Sequence, residues 1–336
     1  MYIEALQEGG IVSKVVVGVA QVGGIQPEES REQVVARLIA LVETAAARGC
    51  TLVVFPELTL TTFFPRYWVD DLSAVDTHFE RSMPNPQVQP LFDRAAELGI
   101  AFVLGYAELT PEGRHFNTAI AVDTDGTIAG TYRKVHLPGH ADDRGIAQQH
   151  LEKRYFEIGD QGFPVFTIAG VRVGLAICND RRWAETYRIL ALNGADLVAI
   201  GYNTPFTSVP GMDPEAHRAM DEHLLSVRAG AYQNAVWVLA AGKSGVEDGH
   251  RLIGGSCVVS PTGDVVALAV GEGDELVVAE YDSATAEPYR RELFNFGKHR
   301  KPEHYRLIAE QTDRAGAAGE QTGRAGAADQ QSEVIA

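Results

Sequence analysis

The chain has 336 residues, of which 45% are hydrophobic and 22% charged, so it can bury the core of one large domain or of two ordinary ones. Its formal net charge of −16 excludes the clustered basic surface that nucleic-acid phosphates require, and an acidic membrane surface would also repel it. The amino terminus lacks the basic and apolar regions of a signal peptide, and no run of about 18 apolar residues could span a bilayer. These features predict a cytoplasmic globular protein without nucleic-acid or membrane partners.

The three cysteines, Cys50, Cys178 and Cys257, are odd in number, widely separated and without C-x-x-C spacing. This distribution predicts free thiols and argues against a zinc site or a redox motif. Cys50 and Cys257 lie inside apolar runs, so we interpret both as core residues. Cys178 stands between an apolar run and two arginines, which leaves a core role and a nucleophilic role open at this point.

Short β-branched runs alternate with longer segments of helical periodicity. In chain order the sequence predicts a strand over 15–22, a helix over 31–49, a strand over 51–55, a helix over 85–99, a strand over 101–109, a hairpin over 118–132, a strand over 171–177, a helix over 181–194, a strand over 195–202, a helix over 213–234, a strand over 236–242, a hairpin over 254–270 and a strand over 275–282. Alternation of this kind with interspersed hairpins predicts the α/β class, a mixed sheet covered by helices.

No linker or change of composition divides residues 11–310, which we therefore treat as one domain. The remaining residues, 311–336, contain the near repeat QTDRAGAAGE and QTGRAGAADQ and have almost nothing to bury. We expect this tail to be disordered, with a frayed helix as the alternative.

Three reactive side chains follow predicted strands: Glu57 after TLVVFP, Lys134 after TIAGTYR and Cys178 after VRVGLAI. Ligands of open α/β sheets collect beyond the carboxyl ends of the strands, so these residues are expected to be neighbours in space. Asn179 and Asp180 are good helix-capping residues, which places the thiol on a sharp turn near helix-start N–H groups that favour a thiolate.

These three residue types complement one another chemically. A thiol with a pKa near 8.5 needs a base, which Glu57 could be, and Lys134 could stabilise the oxyanion formed when the Cys178 thiolate attacks an amide-like carbonyl. The set requires no metal and no cofactor. Taken singly, Cys178 could be a buried core thiol, Glu57 a helix cap and Lys134 a solvated charge at a strand end. Their shared topological position favours the site.

Other polar residues near these segments suggest substrate contacts. Arg181 and Arg182 lie at a predicted helix start, where the helix dipole disfavours cations, and guanidinium groups bind carboxylates bidentately. The alternative is that one arginine faces an internal acid. His136 and His140 are four residues apart, but no carboxylate at metal-site spacing accompanies them. We therefore favour His136 as a residue that contacts the substrate or supports one that does.

Five ordered segments resemble the signature segments of the nitrilase superfamily and, within it, the N-carbamoyl-D-amino acid amidohydrolases: FPELTLTTFFPR (55–66), YRKVHLPGH (132–140), HLEKRYFEIGDQGFPVF (150–166), ICNDRRWAETYR (177–188) and GYNTP (201–205). The similarity extends roughly from residue 15 to residue 310. It implies a single-domain α-β-β-α sandwich that forms dimers or tetramers. It also implies a catalytic triad of Glu57, Lys134 and Cys178, with Glu152 as a second glutamate beside the lysine.

By the same resemblance, the reaction is hydrolysis of an N-carbamoyl-D-amino acid to the D-amino acid, carbon dioxide and ammonia. Arg181 and Arg182 would bind the substrate carboxylate. The rest of the pocket would be formed by His136, His150, Asn179, Asn203 and Thr204. Segment 139–153 departs from the family pattern in being longer or more polar, which leaves the side-chain preference open. The rival activities are those of a β-ureidopropionase, an ω-amidase or a nitrilase, and a non-catalytic thiol-sensing protein is the alternative from another class.

Overall fold

A computed structural model of the chain describes residues 13–145, 149–206 and 216–313. The chain divides into two compact units between Phe294 and Asn295. The strands of the first unit are β1 (Lys14–Gly23), β2 (Leu52–Val54), β3 (Ala101–Leu109), β4 (His115–Val122), β5 (Ile128–Arg133), β6 (Val165–Ile168), β7 (Val171–Ile177), β8 (Leu197–Tyr202), β9 (Trp237–Glu247), β10 (His250–Ile253), β11 (Cys257–Val259), β12 (Val265–Leu268) and β13 (Glu275–Asp282).

The helices of the first unit are α1 (Arg31–Ala47), α2 (Gln89–Leu98), α3 (Glu152–Tyr155), α4 (Ala184–Leu192) and α5 (Ala216–Asn234). Short 3₁₀ segments cover Phe64–Arg66, Leu72–His78, Cys178–Arg182 and Ser283–Thr285, and a π-helical turn covers Tyr289–Leu293. The second unit contains α6 (Phe296–His299), a 3₁₀ turn (Pro302–His304) and α7 (Arg306–Glu310). In the described part of the chain, no helix is both long and apolar enough to cross a bilayer.

The strands form two sheets. One has the order β5-β4-β3-β2-β1-β13 and the other β6-β7-β8-β9-β11-β12, with β10 paired to the far end of β9. The central strands of each sheet are parallel and the outer pairs antiparallel. A short parallel pairing of β1 with β9, at Val22 with Lys243, joins the two sheets.

Helices cover the two outer faces. The inner faces of both sheets share one apolar core, to which Val54 and Val103 contribute from one sheet and Leu175 from the other. Between α1, α2 and the first sheet lies a separate core that includes Leu38 and Leu91. The chain thus folds as the α-β-β-α sandwich of the α/β class, as predicted from the sequence. Such stacking buries both faces of each sheet, which explains the nearly continuous apolar runs of the central strands.

Most predicted elements are confirmed, although several boundaries differ and two strands were not predicted. The helix predicted over 181–194 begins only at Ala184, because the residues before it form the 3₁₀ turn. Strands β6 and β10 were not predicted, and β9 continues to Glu247 rather than ending at residue 242. The predicted tail lies outside the described residues except for positions 311–313, and the domain boundary at residue 310 stays a prediction.

Candidate active site

The structure gathers the predicted reactive residues at one end of the two sheets. Glu57 follows β2, Lys134 follows β5, Cys178 follows β7, and Glu152 is the first residue of α3. All four side chains are buried, and Cys178, the most exposed of them, is only 2% exposed. The Nζ atom of Lys134 lies 2.6 Å from Oε1 of Glu57 and 2.6 Å from Oε2 of Glu152. One buried ammonium group therefore pairs with two buried carboxylates.

The backbone around Glu57 is fixed by close approaches from both sheets. A Cβ atom on Gly105 in β3 would lie 2.6 Å from the carbonyl oxygen of Pro56, and one on Gly201 in β8 would lie 2.7 Å from the Glu57 nitrogen. Both distances are shorter than any real Cβ contact, so only glycine fits at these two positions. Glu57 is held where the ends of the two sheets meet.

Asn117, on β4, is a site residue that the sequence analysis missed. Its Nδ2 atom donates to Oε1 of Glu57 at 2.8 Å and approaches Oε2 of Glu152 at 3.3 Å. A single asparagine within a strand carries no distinguishing signal in the sequence. Its position becomes informative only once β4 is paired with β5, because the backbone N–H of Lys134 then donates to the Asn117 carbonyl at 2.8 Å.

The pKa values of both Lys134 and Glu152 are raised in the cluster, each for a different reason. Burial alone would lower the pKa of Lys134, but the carboxylates of Glu152 and Glu57 outweigh it and raise that pKa above its ordinary value. Burial raises the pKa of Glu152 to about 7, although the Lys134 ammonium acts in the opposite direction. The second oxygens, Oε2 of Glu57 and Oε1 of Glu152, are buried and have no hydrogen-bond partner among the described residues.

Cys178 occupies a strained position at the start of the 3₁₀ turn, with φ of +46°. Its Sγ atom lies 3.9 Å from the Asn203 carbonyl oxygen, 4.0 Å from Oγ1 of Thr204 and 3.7 Å from Nη1 of Arg181. Burial and the charge of Glu57 raise the pKa of the thiol, although Lys134 and Arg181 act against them.

The expectation that a helix start stabilises the Cys178 thiolate is therefore wrong. The helix begins six residues after Cys178, and desolvation dominates the environment of the thiol. A neutral buried thiol needs a base close by, and Glu57 has a carboxylate oxygen without a partner.

Asp180 is not the N-cap residue expected from the sequence but the third residue of the 3₁₀ turn, and its carboxylate links the cysteine turn to the strand that precedes Lys134. Its Oδ2 atom accepts from the Tyr132 hydroxyl at 2.7 Å and from the Ile177 N–H at 2.9 Å. Its Oδ1 atom accepts from the His136 N–H at 3.0 Å, and Nδ1 of His136 lies 2.7 Å from the same oxygen. The His136 ring also stacks on Trp183, with centroids 4.9 Å apart. The structure therefore gives His136 a supporting position beside the turn.

The two arginines of the turn have different surroundings, contrary to the paired role expected from the sequence. Arg181 is 2% exposed. Its guanidinium group donates to Nδ1 of His223 at 3.2 Å, to the Cys178 carbonyl at 2.7 Å and to Oγ1 of Thr204 at 2.9 Å. These internal hydrogen bonds use the donors of the Arg181 guanidinium group. None of these partners is an acidic residue, although the alternative interpretation of the sequence was that one arginine faces an internal acid.

Arg182 is exposed, and its guanidinium group lies 3.3 Å from Oδ1 of Asn179. No carboxylate in the described ranges forms an ion pair with it. The Asn179 amide in turn donates to the His136 carbonyl at 3.1 Å. Arg182 is therefore the cation of this turn that can accept an anion from outside.

Two further predicted pocket residues present unpaired polar atoms. Asn203 is 1% exposed, and both atoms of its side-chain amide are buried without a partner in the described part of the chain. Nε2 of His150 is likewise unpaired, and burial together with the Lys134 charge lowers the pKa of His150 to about 3. Buried polar groups normally find partners, so these atoms are suited to a polar ligand.

Within the described residues, no cluster of three or more histidine, cysteine, aspartate or glutamate side chains could hold a metal ion. His136 is engaged by Asp180, and Nε2 of His140 lies 3.2 Å from Oε1 of Gln149. All three cysteines are free and buried.

Comparison with known proteins identifies the family. Residues 17–291 match the carbon-nitrogen hydrolase family, and the chain belongs to it. It is 31% identical over 284 residues to an N-carbamoylputrescine amidase of Arabidopsis thaliana, covering 80% of this chain and 87% of that protein. It is 32% identical over 269 residues to a nitrilase of Pyrococcus abyssi, covering 79% and 90%. A crystal structure of a carbon-nitrogen hydrolase from Helicobacter pylori G27 superposes with a TM-score of 0.76 at 26% identity, covering 89% of this chain and all of that one.

The fold and these relatives define a hydrolase of the nitrilase superfamily, an amidohydrolase that acts on carbon-nitrogen bonds. This agrees with the superfamily resemblance of the sequence segments. The relatives do not single out the D-amino acid branch.

Proposed function

We propose that the protein hydrolyses N-carbamoyl-D-amino acids to the D-amino acid, carbon dioxide and ammonia through a covalent intermediate on Cys178. The observation that carries this proposal is that one short turn holds both a buried thiol, on which the charges of Glu57 and Lys134 act, and the exposed Arg182, which has no ion-pair partner among the described residues. In this proposal Cys178, with Glu57 and Lys134, attacks the carbonyl group of the substrate, and Arg182 binds the carboxylate of the same substrate molecule.

The first half of the reaction forms the C–S bond. Oε2 of Glu57 takes the proton of the Cys178 thiol as the thiolate attacks the ureido carbonyl carbon. An ammonium group has three N–H donors, and two of those of Lys134 point to carboxylates, which leaves one for the developing oxyanion. The tetrahedral adduct then collapses: one C–N bond breaks, and the departing nitrogen takes up the proton held by Glu57.

The second half breaks the C–S bond. Glu57, ionised again, deprotonates a water molecule that attacks the thioester-like carbonyl carbon, and the Cys178 sulfur leaves and recovers a proton. Lys134 stabilises the oxyanion in both halves, so a group fixed by two carboxylates serves twice without rearrangement. Loss of the remaining C–N bond yields carbon dioxide and the second nitrogen product.

A ureido group and a carboxylate match the polar groups left open around the thiol. The unpaired amide of Asn203 offers one donor face and one acceptor face, which complement the carbonyl and N–H groups of a ureido substrate. Asn179 belongs to the same turn, the charges of Lys134 and Arg182 act on His150, and Thr204 holds Arg181 in place. In this proposal Arg182 binds the substrate carboxylate, and Arg181 holds the cysteine turn in place.

The variant Arg182→Ala tests this assignment. It should raise KM for N-carbamoyl amino acids about 10- to 100-fold, because a charge-assisted hydrogen bond is lost, while kcat changes little. The measurement is steady-state ammonia release with N-carbamoyl amino acids and with neutral amides of similar size.

Neutral amides serve as the control, since their KM should hardly move. An equal rise of KM for both substrate sets would refute the assignment of Arg182. Arg181→Ala should behave differently and lower kcat for both sets, because its bonds hold the cysteine turn.

The rival substrates differ in charge from the proposed one. N-carbamoylputrescine ends in a primary amine that is cationic at neutral pH, so Arg182 would repel it, and a nitrile offers no carboxylate to bind. A β-ureidopropionase or ω-amidase substrate does carry a carboxylate, and its reaction would use the same cluster. The D preference is supported by the resemblance of the sequence segments to D-carbamoylases. The dimeric or tetrameric state and the cytoplasmic location stay predictions.

A further inference from the structure

The Asn117 side chain lies at the centre of the buried charge cluster. Asn117 is 0% exposed and lies in β4, most of which is buried. Asn117 contacts three of the four clustered residues: its side-chain amide N–H group donates to Glu57 and Glu152, and its backbone carbonyl oxygen accepts from the backbone N–H of Lys134. It does not contact the thiol in any recorded hydrogen bond, so its influence on Cys178 passes through the carboxylates.

The donors of Asn117 and Lys134 converge on the same two oxygen atoms. Nδ2 of Asn117 and Nζ of Lys134 both reach Oε1 of Glu57, and both reach Oε2 of Glu152. The other oxygen of each carboxylate is therefore left without a partner in the described part of the chain. Two donors on one oxygen hold a carboxylate more firmly against rotation than one donor does, because rotation would break both bonds at once.

We infer that Asn117 is a positioning residue that holds Glu57 and Glu152 so that Oε2 of Glu57 stays free to exchange a proton with Cys178. This inference rests on the cysteine hydrolase chemistry proposed above. Without the amide, the Lys134 ammonium alone would hold two carboxylates that repel each other, and Glu57 could turn its free oxygen toward the ammonium instead of the thiol.

Loss of the amide also changes how the cluster titrates. Several charged or titratable groups act on this cluster from the elements around it: Lys134 after β5, Glu152 and His150 at α3, Cys178 and Arg182 on the 3₁₀ turn, and Lys243 on β9. Of these, only Lys134 donates to Glu57, so Asn117 supplies the other side-chain donor recorded for that carboxylate. The Asn117 amide also lowers the pKa of Glu152 against the effect of burial. A donor to a carboxylate favours its ionised form, and removing the donor favours protonation.

The test is the pH dependence of Cys178 alkylation by iodoacetamide, followed by mass spectrometry of the Cys178 peptide. It compares the unaltered protein with Asn117→Leu, which removes the donor, and Asn117→Asp, which has the same shape but adds a third carboxyl group to one ammonium. Thr118→Val is the matched control. Thr118 is the next residue of β4 and equally buried, and its hydroxyl donates to Glu108, a carboxylate outside the cluster, at 2.6 Å.

The acid limb is the part of the profile in which the alkylation rate falls as the pH is lowered. We expect its midpoint to move up by about one pH unit in Asn117→Leu, since a hydrogen bond to a charged group is worth roughly that shift. In Asn117→Asp it should move up further. Thr118→Val should leave the limb in place. An unchanged limb in any folded Asn117 variant would overturn the inference, because a merely structural role would lower the rate without moving the profile. If Asn117→Leu does not fold, Asn117→Asp and Asn117→Ser provide the same comparison.

Alkylation requires no substrate, so this result is independent of the substrate assignment. A shifted limb in a protein that fails to hydrolyse N-carbamoyl amino acids would support Asn117 and reject the proposed substrate. An unshifted limb in a protein that hydrolyses them would reject the positioning role of Asn117 and support the proposed substrate.

Discussion

Replacing Cys178 with alanine should abolish hydrolysis, lowering kcat by about 10⁴-fold or more, because no other group in the site can form the covalent intermediate. The thiol is 2% exposed and lies against the Asn203 carbonyl and Arg181, so alanine leaves only a small cavity there. The variant should therefore fold and still bind substrate. Ammonia release and circular dichroism of the same preparation measure both properties.

Cys50→Ala is the matched control for this prediction. Cys50 is also buried, at 3% exposure, but belongs to the core between the first sheet and α1. Its replacement should reduce stability modestly and leave kcat within a few-fold of the unaltered protein. Comparable activity in folded Cys178→Ala and Cys50→Ala proteins would exclude Cys178 as the nucleophile.

Replacing Lys134 with methionine should have two large effects. Loss of the oxyanion donor should lower kcat about a thousandfold. Loss of the shared cation also leaves the carboxylates of Glu57 and Glu152 buried without an ion-pair partner, which should cost about 3–5 kcal/mol of unfolding free energy near neutral pH. Denaturant unfolding and steady-state kinetics measure the two effects separately.

The stability loss should depend on pH in a defined direction. Burial already raises the pKa of Glu152 to about 7, above the value of an unfolded glutamate, and loss of Lys134 raises it further. Such a group binds more protons when folded than when unfolded, so the stability of the variant falls as pH rises. The deficit of Lys134→Met should therefore be larger at pH 8 than at pH 5.5. A constant deficit would show that the carboxylates are not its cause.

Lys243→Met separates the two effects of Lys134→Met. Lys243 is 0% exposed and lies 2.8 Å from Glu247, so its loss should also destabilise the protein. It has no recorded bond to Glu57 or Glu152, and its activity loss should be less than about tenfold in the folded protein. Equal activity losses in both variants would remove the special role of Lys134.

Local sequence patterns were sufficient to predict much of the fold. Strands and helices follow from periodicities that each segment carries by itself, as in β7, predicted and observed over 171–177. The gathering of Glu57, Lys134 and Cys178 was expected because each follows a strand and ligands collect beyond the carboxyl ends of strands. In the structure β2 and β5 belong to one sheet and β7 to the other.

Features that depend on contacts between residues far apart in the sequence could not be predicted from local patterns. Asn117 has a role only because β4 lies beside Lys134, and the burial of Arg181 depends on His223 from α5 and Thr204 after β8. The direction of the Cys178 pKa shift was wrong for the same reason, since desolvation is a property of the packed fold. Strand β10 was missed because its four residues form a tight hairpin with β9 that local propensity does not reveal.

The most direct test of the central claim is to incubate the purified protein separately with N-carbamoyl-D-phenylalanine, its L-enantiomer and N-carbamoylputrescine, and to quantify ammonia and the amino acid or amine released. The account predicts turnover of the D compound, little of the L compound and little of the cationic amine, all of it absent in Cys178→Ala. Turnover of N-carbamoylputrescine without turnover of the D compound would contradict the proposed substrate and the role of Arg182.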